Sequence, residues 1–216
     1  MIDKVLPIWK PKNISSYDII RKLKSIYGQI KVGHCGTLDP FAEGIVIICI
    51  GKYTKMTENF MNYDKSYIAE ISLGNETDTL DNTGQIIKIS NKKLKLNKNI
   101  IINVLNKYKG EIQQIPPYFS AKKICGVKMY NLARKDIFIR TKPFKVTINT
   151  IDLIKFNSKS INIKINCNKG TYIRSLARDI CYDLGTCGYL SKLERYSVGS
   201  FKKENSISYN NLESCL

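Results

Sequence analysis

An α+β fold, with a mixed and largely antiparallel sheet flanked by helices, is predicted by three features of the 216-residue chain. Segments 65–73, 144–154 and 160–167 alternate apolar and polar residues, the period of strands with one face on a core. The run 45–50 is unbroken, β-branched and closed by Gly51, as a buried strand would be. Apolar residues at helical spacing follow Ser15 and Ser16, recur over 100–108 and again over 173–184, and each series is stopped by a glycine.

With 43% hydrophobic and 25% charged residues the chain reads as soluble and globular, and large enough to bury a substantial core. Lys and Arg outnumber Asp and Glu by 35 to 18, and a net charge of +17 attracts polyanions, so nucleic acid is the first partner to consider. An AT-biased genome accounts for part of the lysine excess, but less well for so large an imbalance over acids. Seven cysteines without a C-x-x-C pair form neither a zinc pattern nor a disulfide framework; no metal site is expected, and a reducing compartment is. The N-terminus lacks the apolar core of a signal peptide, and no run approaches the roughly 18 apolar residues of a membrane span. A cytoplasmic location, or an organelle of bacterial descent, is the corresponding expectation.

Taken in order, 5–11 reads as a short edge strand, because each proline removes a ladder donor. The helix after Ser15 and Ser16 carries Ile19, Ile20, Leu23, Ile26 and Tyr27 on its core face, stops at Gly28 and shows Arg21, Lys22 and Lys24 to solvent. The turn 33–44 then places the only histidine, His34, and the carboxylate of Asp39 among glycines and a proline, at the mouth of the 45–50 strand. After the 65–73 strand, 77–84 is a polar hairpin connection whose acids do not fit calcium-loop spacing. The lysine-rich segment from 91 leads into an amphipathic helix ending at Gly110.

Residues 111–140 form an insertion poor in core positions, with Pro116, Pro117, Tyr118 and Phe119 beside lysines and a short basic helix over 128–135. Aromatics next to cations suit loop or single-stranded RNA, where bases stack and phosphates pair; ordinary packing aromatics on a surface loop remain the alternative. Two neighbouring strands follow, then a helix with Thr171 as its N-cap and Arg174 in its first turn, where the dipole disfavours a cation and hints at a specific partner. Over 190–199 a last helical turn and a short strand are expected.

Six short motifs resemble, in order, those of the TruB-type tRNA pseudouridine synthases. They are Lys10-Pro11 with Ser15-Ser16, Gly33-His34-Cys35-Gly36-Thr37-Leu38-Asp39-Pro40, Lys65-Ser66-Tyr67, Thr77-Asp78-Thr79 with Asp81 and Gly84, Gln114-Ile115-Pro116-Pro117 with Tyr118, Ser120 and Ala121, and Cys167-Asn168-Lys169-Gly170-Thr171-Tyr172-Ile173-Arg174. The resemblance implies a pseudouridine synthase fold in one catalytic domain over 1–216, with an RNA-gripping insertion and without the C-terminal RNA-binding domain common in the family. It implies isomerisation of uridine-55 in the TΨC loop of tRNA after base flipping. The glycosidic bond is cut, the base rotates and a carbon–carbon bond forms, so no cofactor is required. Asp39 would attack the ribose or assist its deprotonation, Arg174 would pair with Asp39, and Tyr67 would pack on the base and carry the proton. His34 would fill the space the flipped nucleotides leave, and Lys10, Tyr172 and Leu193 would support the substrate. The partner is the TΨC stem-loop, with no membrane and no metal, and the enzyme is expected to be a monomer.

Cys35 stands where the family commonly has Thr, and Trp9 where an Asp often precedes Lys-Pro, so packing beside the site differs from the family pattern. Two other readings have their own signatures. A non-catalytic tRNA chaperone would need the charge of +17 but not Asp39, Tyr67 and Arg174 together. The catalytic subunit of a guide-RNA particle would require added guide RNA for activity.

Overall fold

A computed structural model describes residues 2–92, 94–139 and 141–214. Lys93 of the lysine-rich segment and Arg140, the last residue of the expected insertion, lie outside the described residues. In chain order the strands and α-helices begin with β1 (Lys4–Lys10), α1 (Ser16–Tyr27), β2 (Val32–Cys35), β3 (Glu43–Ile50), α2 (Thr57–Met61), β4 (Lys65–Leu73), β5 (Asn75–Thr77) and β6 (Ile86–Ile89). Next come α3 (Lys98–Asn106), β7 (Gly110–Gln114), β8 (Lys123–Ile124), β9 (Val127–Lys128), α4 (Met129–Ala133), β10 (Phe144–Phe156) and β11 (Ser160–Cys167). They are followed by α5 (Ile173–Asp183), β12 (Gly188–Val198), β13 (Phe201–Lys202) and β14 (Ile207–Ser208). The fold is α+β, with a large, mostly antiparallel sheet flanked by helices, as the alternation and helical spacing predict. It divides into two compact units, one of Met1–Ile68, Asn166–Lys169 and Leu193–Leu216, the other of Ala69–Ile165 and Gly170–Lys192.

In the first unit β3 is central. β1 runs antiparallel to it along its whole length, from Lys4 opposite Ile50 to Lys10 opposite Gly44. Its other side is shared by β2, antiparallel at 47–50, and by β12, parallel at Glu43 and Gly44. All six side chains of 45–50 are buried, so both faces of the strand are covered, which is why the run is apolar without alternation. Cys35, Ile45, Ile47, Cys49, Phe60 and Val198 form a core cluster, extended by Val5, Trp9, Tyr53 and Phe201. β1 is not an edge strand, because the two-residue β14 pairs with it in parallel at Ile8 and Trp9. α1 starts with a capping box: the Ser15 side chain accepts from the Asp18 N–H, and the Asp18 carboxylate accepts from the Ser15 N–H. It ends at Gly28, whose N–H donates to the Lys24 carbonyl, and buries Ile19, Ile20 and Leu23.

In the second unit β10 and β7 pair antiparallel, from Phe144 opposite Gln114 to Ile148 opposite Gly110. The first residues of the expected insertion therefore belong to a ladder, and the segment that follows holds the β8–β9 hairpin and α4. Residues 78–85 connect β5 to β6 in an antiparallel hairpin. α3 is capped by Asn97 and buries Ile101, Val104 and Leu105, while Ile100 faces outward. Thr171 is not the cap of α5. Tyr172 occupies that position without a side-chain cap, and its N–H donates to Gln114 Oε1 at 2.8 Å while Gln114 Nε2 donates to its carbonyl at 3.1 Å. A glutamine from β7, distant in sequence, instead pairs with both main-chain groups of the residue at the helix N-cap.

Over 190–199 an extended strand replaces the expected helical turn. Leu190 and Leu193 are three residues apart and mimic a helical face. Both are buried because the inward parity of β12 changes between them; beyond the change, Leu193, Arg195 and Ser197 point inward. Arg195 is thereby carried into the core.

Candidate active site

Asp39 sits in the 36–42 segment between β2 and β3. Its carbonyl accepts from the Ala42 N–H at 3.1 Å, closing a turn with Pro40 at the position where a preset φ favours it. Side chains from three elements hold the main chain around it. Ser16, the first residue of α1, brackets Leu38: its Oγ donates to the Leu38 carbonyl at 3.1 Å and accepts from the Leu38 N–H at 2.9 Å. Lys10, at the end of β1, is 0% exposed. Its ammonium is surrounded by the carbonyls of Pro11 and Ile14 at 2.9 Å, Ala42 at 2.6 Å and Pro40 at 3.3 Å. Arg195 of β12, 2% exposed, donates through Nε to Ile45 O at 2.7 Å, through Nη1 to Thr37 O at 3.2 Å and through Nη2 to Gly36 O at 3.3 Å. The Asn13 N–H adds a bond to Pro40 O at 2.7 Å.

Charge follows burial here. Desolvation pushes Lys10 down to about 8, the Arg195 cation adds to that, and Asp39, Glu43 and Asp18 oppose it. Tyr67 lies on β4, 7% exposed, and burial pushes its phenol up to about 12; Arg195 pulls it back and the Asp39 charge adds to the rise. The phenol is therefore neutral near pH 7, and Asp39 and Arg195 both fall within its electrostatic reach. Lys65, two residues earlier, donates to the carbonyls of Met61, the last residue of α2, and Tyr63, and burial lowers it to about 8. His34 lies half-buried on β2 opposite Ile48, and Leu193 is buried on β12 two residues before Arg195.

Of the residues singled out in the sequence, Asp39, Tyr67, His34, Lys10 and Leu193 belong to this unit, while Arg174 and Tyr172 belong to the other. Arg174 is buried near the start of α5. Its Nη1 donates to Thr79 O at 2.8 Å, its Nη2 to Phe119 O at 2.9 Å, and Asp81 Oδ2 lies 3.5 Å from Nη1. Asp81 is oriented by the Thr79 hydroxyl at 2.8 Å and the Thr83 N–H at 3.0 Å, so the polar 77–84 turn holds a partner of this buried arginine. Tyr172 packs edge-on against Phe144, with ring centres 6.1 Å apart.

Arg195, Ser16, Asp81 and Gln114 were not assigned these tasks from the sequence. The one local signal for Arg195 is a charged residue among the inward positions 193, 195 and 197. Reading it requires knowing that the segment is a strand. Among the described residues no group of three or more His, Cys, Asp or Glu side chains is placed to hold a metal ion, and no helix is long and apolar enough to cross a membrane.

The model of the TruB family pseudouridylate synthase N-terminal domain matches residues 24–173, which include Asp39 and Tyr67. The chain belongs to this family. The tRNA pseudouridine synthase B of Clostridium tetani is 45% identical over 204 residues, covering 94% of this chain and 70% of that protein. That of Caldanaerobacter subterraneus is 43% identical over 208 residues, covering 96% of this chain and 73% of that protein. Among solved structures, one described as a Cbf5-Nop10-Gar1 complex matches with a TM-score of 0.75 and 26% identity over 97% of this chain; the match spans 53% of that chain. In this TruB family member Lys10, Arg174 and Arg195 lie outside the matched segment, so their placement rests on the geometry above.

Proposed function

We propose that the protein isomerises uridine-55 in the TΨC loop of tRNA to pseudouridine, acting as a monomer in the cytoplasm. The observation that carries this reading is a single carboxylate, Asp39, on a turn whose main chain is held by Ser16, Lys10 and Arg195, with the buried neutral phenol of Tyr67 in electrostatic reach. The relatives named tRNA pseudouridine synthase B support the substrate, and the charge of +17 supports a polyanionic partner.

The target base must leave the loop stack, at a cost of a few kcal/mol that contacts to RNA offset. Asp39 then acts on the ribose, by attack or by taking a proton, while the glycosidic bond breaks. The base turns, and its carbon bonds to the sugar as the bond to Asp39 breaks on the attack route, or as Asp39 returns the sugar proton on the other. The proton released from that carbon is taken up with the help of Tyr67. A neutral phenol accepts it only by passing on its own proton in the same step, and the count closes when the ring nitrogen freed from the sugar takes up a proton. His34 fills the gap left by the flipped nucleotides, and Leu193 lines the pocket. The roles that the resemblance gives Arg174 and Tyr172 belong to the same proposal. Lys10, wholly enclosed by carbonyls, contributes through the turn it holds.

Incubation with an unmodified tRNA transcript, followed by mapping of pseudouridine, tests the reading. Product at position 55 is expected, and Asp39→Asn should abolish it while leaving tRNA binding intact. No pseudouridine in the TΨC loop would overturn the proposal.

A further inference from the structure

One side chain closes the base of the segment that carries Asp39. Arg195 runs beside β3, paired in parallel with Gly44. Its Nε bonds to the Ile45 carbonyl inside β3, while its Nη1 and Nη2 bond to the carbonyls of Thr37 and Gly36, just past the end of β2. The chain between these anchors includes Asp39. Ser16 holds Leu38, and Lys10 holds Pro40 and Ala42, so neither ties the β2 end to the β3 end. Only Arg195 among these three does so.

A guanidinium suits the task. It offers five N–H donors in a rigid planar fork and can serve carbonyls on two separate segments, whereas a lysine has one nitrogen. Desolvating the charge is costly, and the three carbonyl dipoles offset that cost only while the segment keeps this shape. The glycine opposite makes the approach possible: a Cβ at Gly44 would lie 2.3 Å from the Arg195 carbonyl oxygen and 2.6 Å from its nitrogen.

We propose that Arg195 is a positioning residue for the isomerisation, which places the Asp39 carboxylate by tying Gly36 and Thr37 to Ile45 and does not itself touch the uridine. This rests on the reading that Asp39 performs the chemistry. The cation also faces the Tyr67 phenol, so the same side chain acts on the two groups that do the proton and bond chemistry. A displacement of roughly 1 Å at a reacting group costs on the order of 100-fold in rate.

Two substitutions test it, R195K, which keeps the charge on one nitrogen, and R195Q, which keeps a planar donor without charge. Single-turnover rate on saturating unmodified tRNA, tRNA Kd, melting temperature and amide exchange are measured beside wild type and D39N. The expected result is a fall in rate of about 10- to 100-fold in both variants, with Kd within about threefold and faster exchange at Thr37 and Leu38. A residue with a merely structural role would lower the melting temperature and leave the rate of the folded fraction unchanged. A rate in R195K within about twofold of wild type overturns the positioning role, as does failure of both variants to fold. If wild type makes no pseudouridine in tRNA, or D39N keeps the wild-type rate, the functional reading itself has failed, and those controls separate the two cases.

Discussion

Lys10 and Ala42 are joined by a 2.6 Å hydrogen bond from a buried ammonium to a main-chain carbonyl three residues past Asp39. Because burial lowers Lys10 to about 8, raising the pH through that value removes a donor from the cage and should reduce the rate of isomerisation. Stability moves the other way. The folded pKa lies below the ordinary 10.5, so between the two values the unfolded chain binds a proton that the folded chain lacks, and this group's contribution to stability rises with pH. Initial rates at saturating tRNA should therefore fall from about pH 7 to about pH 9 without a matching fall in melting temperature. Lys65 titrates in the same window, and Lys65→Arg, which stays charged, isolates the Lys10 limb. A flat rate profile in that variant would refute the coupling.

Tyr67→Phe removes the hydroxyl and keeps the ring. The phenol is buried and neutral to about pH 12, so its loss should change unfolding free energy by only about 1 kcal/mol, read by urea titration. The rate should drop by about 100-fold or more if the hydroxyl handles the proton from the base carbon. Retention of rate within about threefold would assign Tyr67 to packing alone.

Gly44→Ala and Gly36→Ala should separate close approach from backbone strain. Both glycines have positive φ, +129° and +93°, but a Cβ at Gly36 meets nothing within 4 Å, whereas one at Gly44 meets Arg195 main-chain atoms that cannot swing aside. G36A should cost roughly 1–2 kcal/mol. G44A must part β3 from β12 and should cost more than about 3 kcal/mol, or leave little folded protein, as read by chemical denaturation.

Gln114→Ala should weaken the start of α5 by about 1–2 kcal/mol, since it removes the acceptor for the Tyr172 N–H and the donor to the Tyr172 carbonyl. Chemical denaturation checks this, and unchanged stability in Gln114→Ala would refute the role of that side chain.

The elements legible in the sequence are those whose cause is local. The Ser15–Asp18 capping box and Gly28 bound α1 within a few residues, and 65–73 or 160–167 alternate because one face of each meets a core. The turn that presents Asp39 was legible for the same reason, since a proline and glycines with preset or permissive φ mark it whatever surrounds it.

Long-range partners decided the rest. Leu190 and Leu193 look helical until β12 is seen beside β3 at Glu43 and Gly44, and Thr171 looks like a cap until Gln114 arrives from 58 residues away. The sequence alone determined the family and the turn that carries Asp39. Only the tertiary structure decided that Lys10 and Arg195 are buried and aimed at the carbonyls on either side of Asp39. A charge enters a core only where dipoles converge on it, and those dipoles come from segments as far as 159 residues away in the chain.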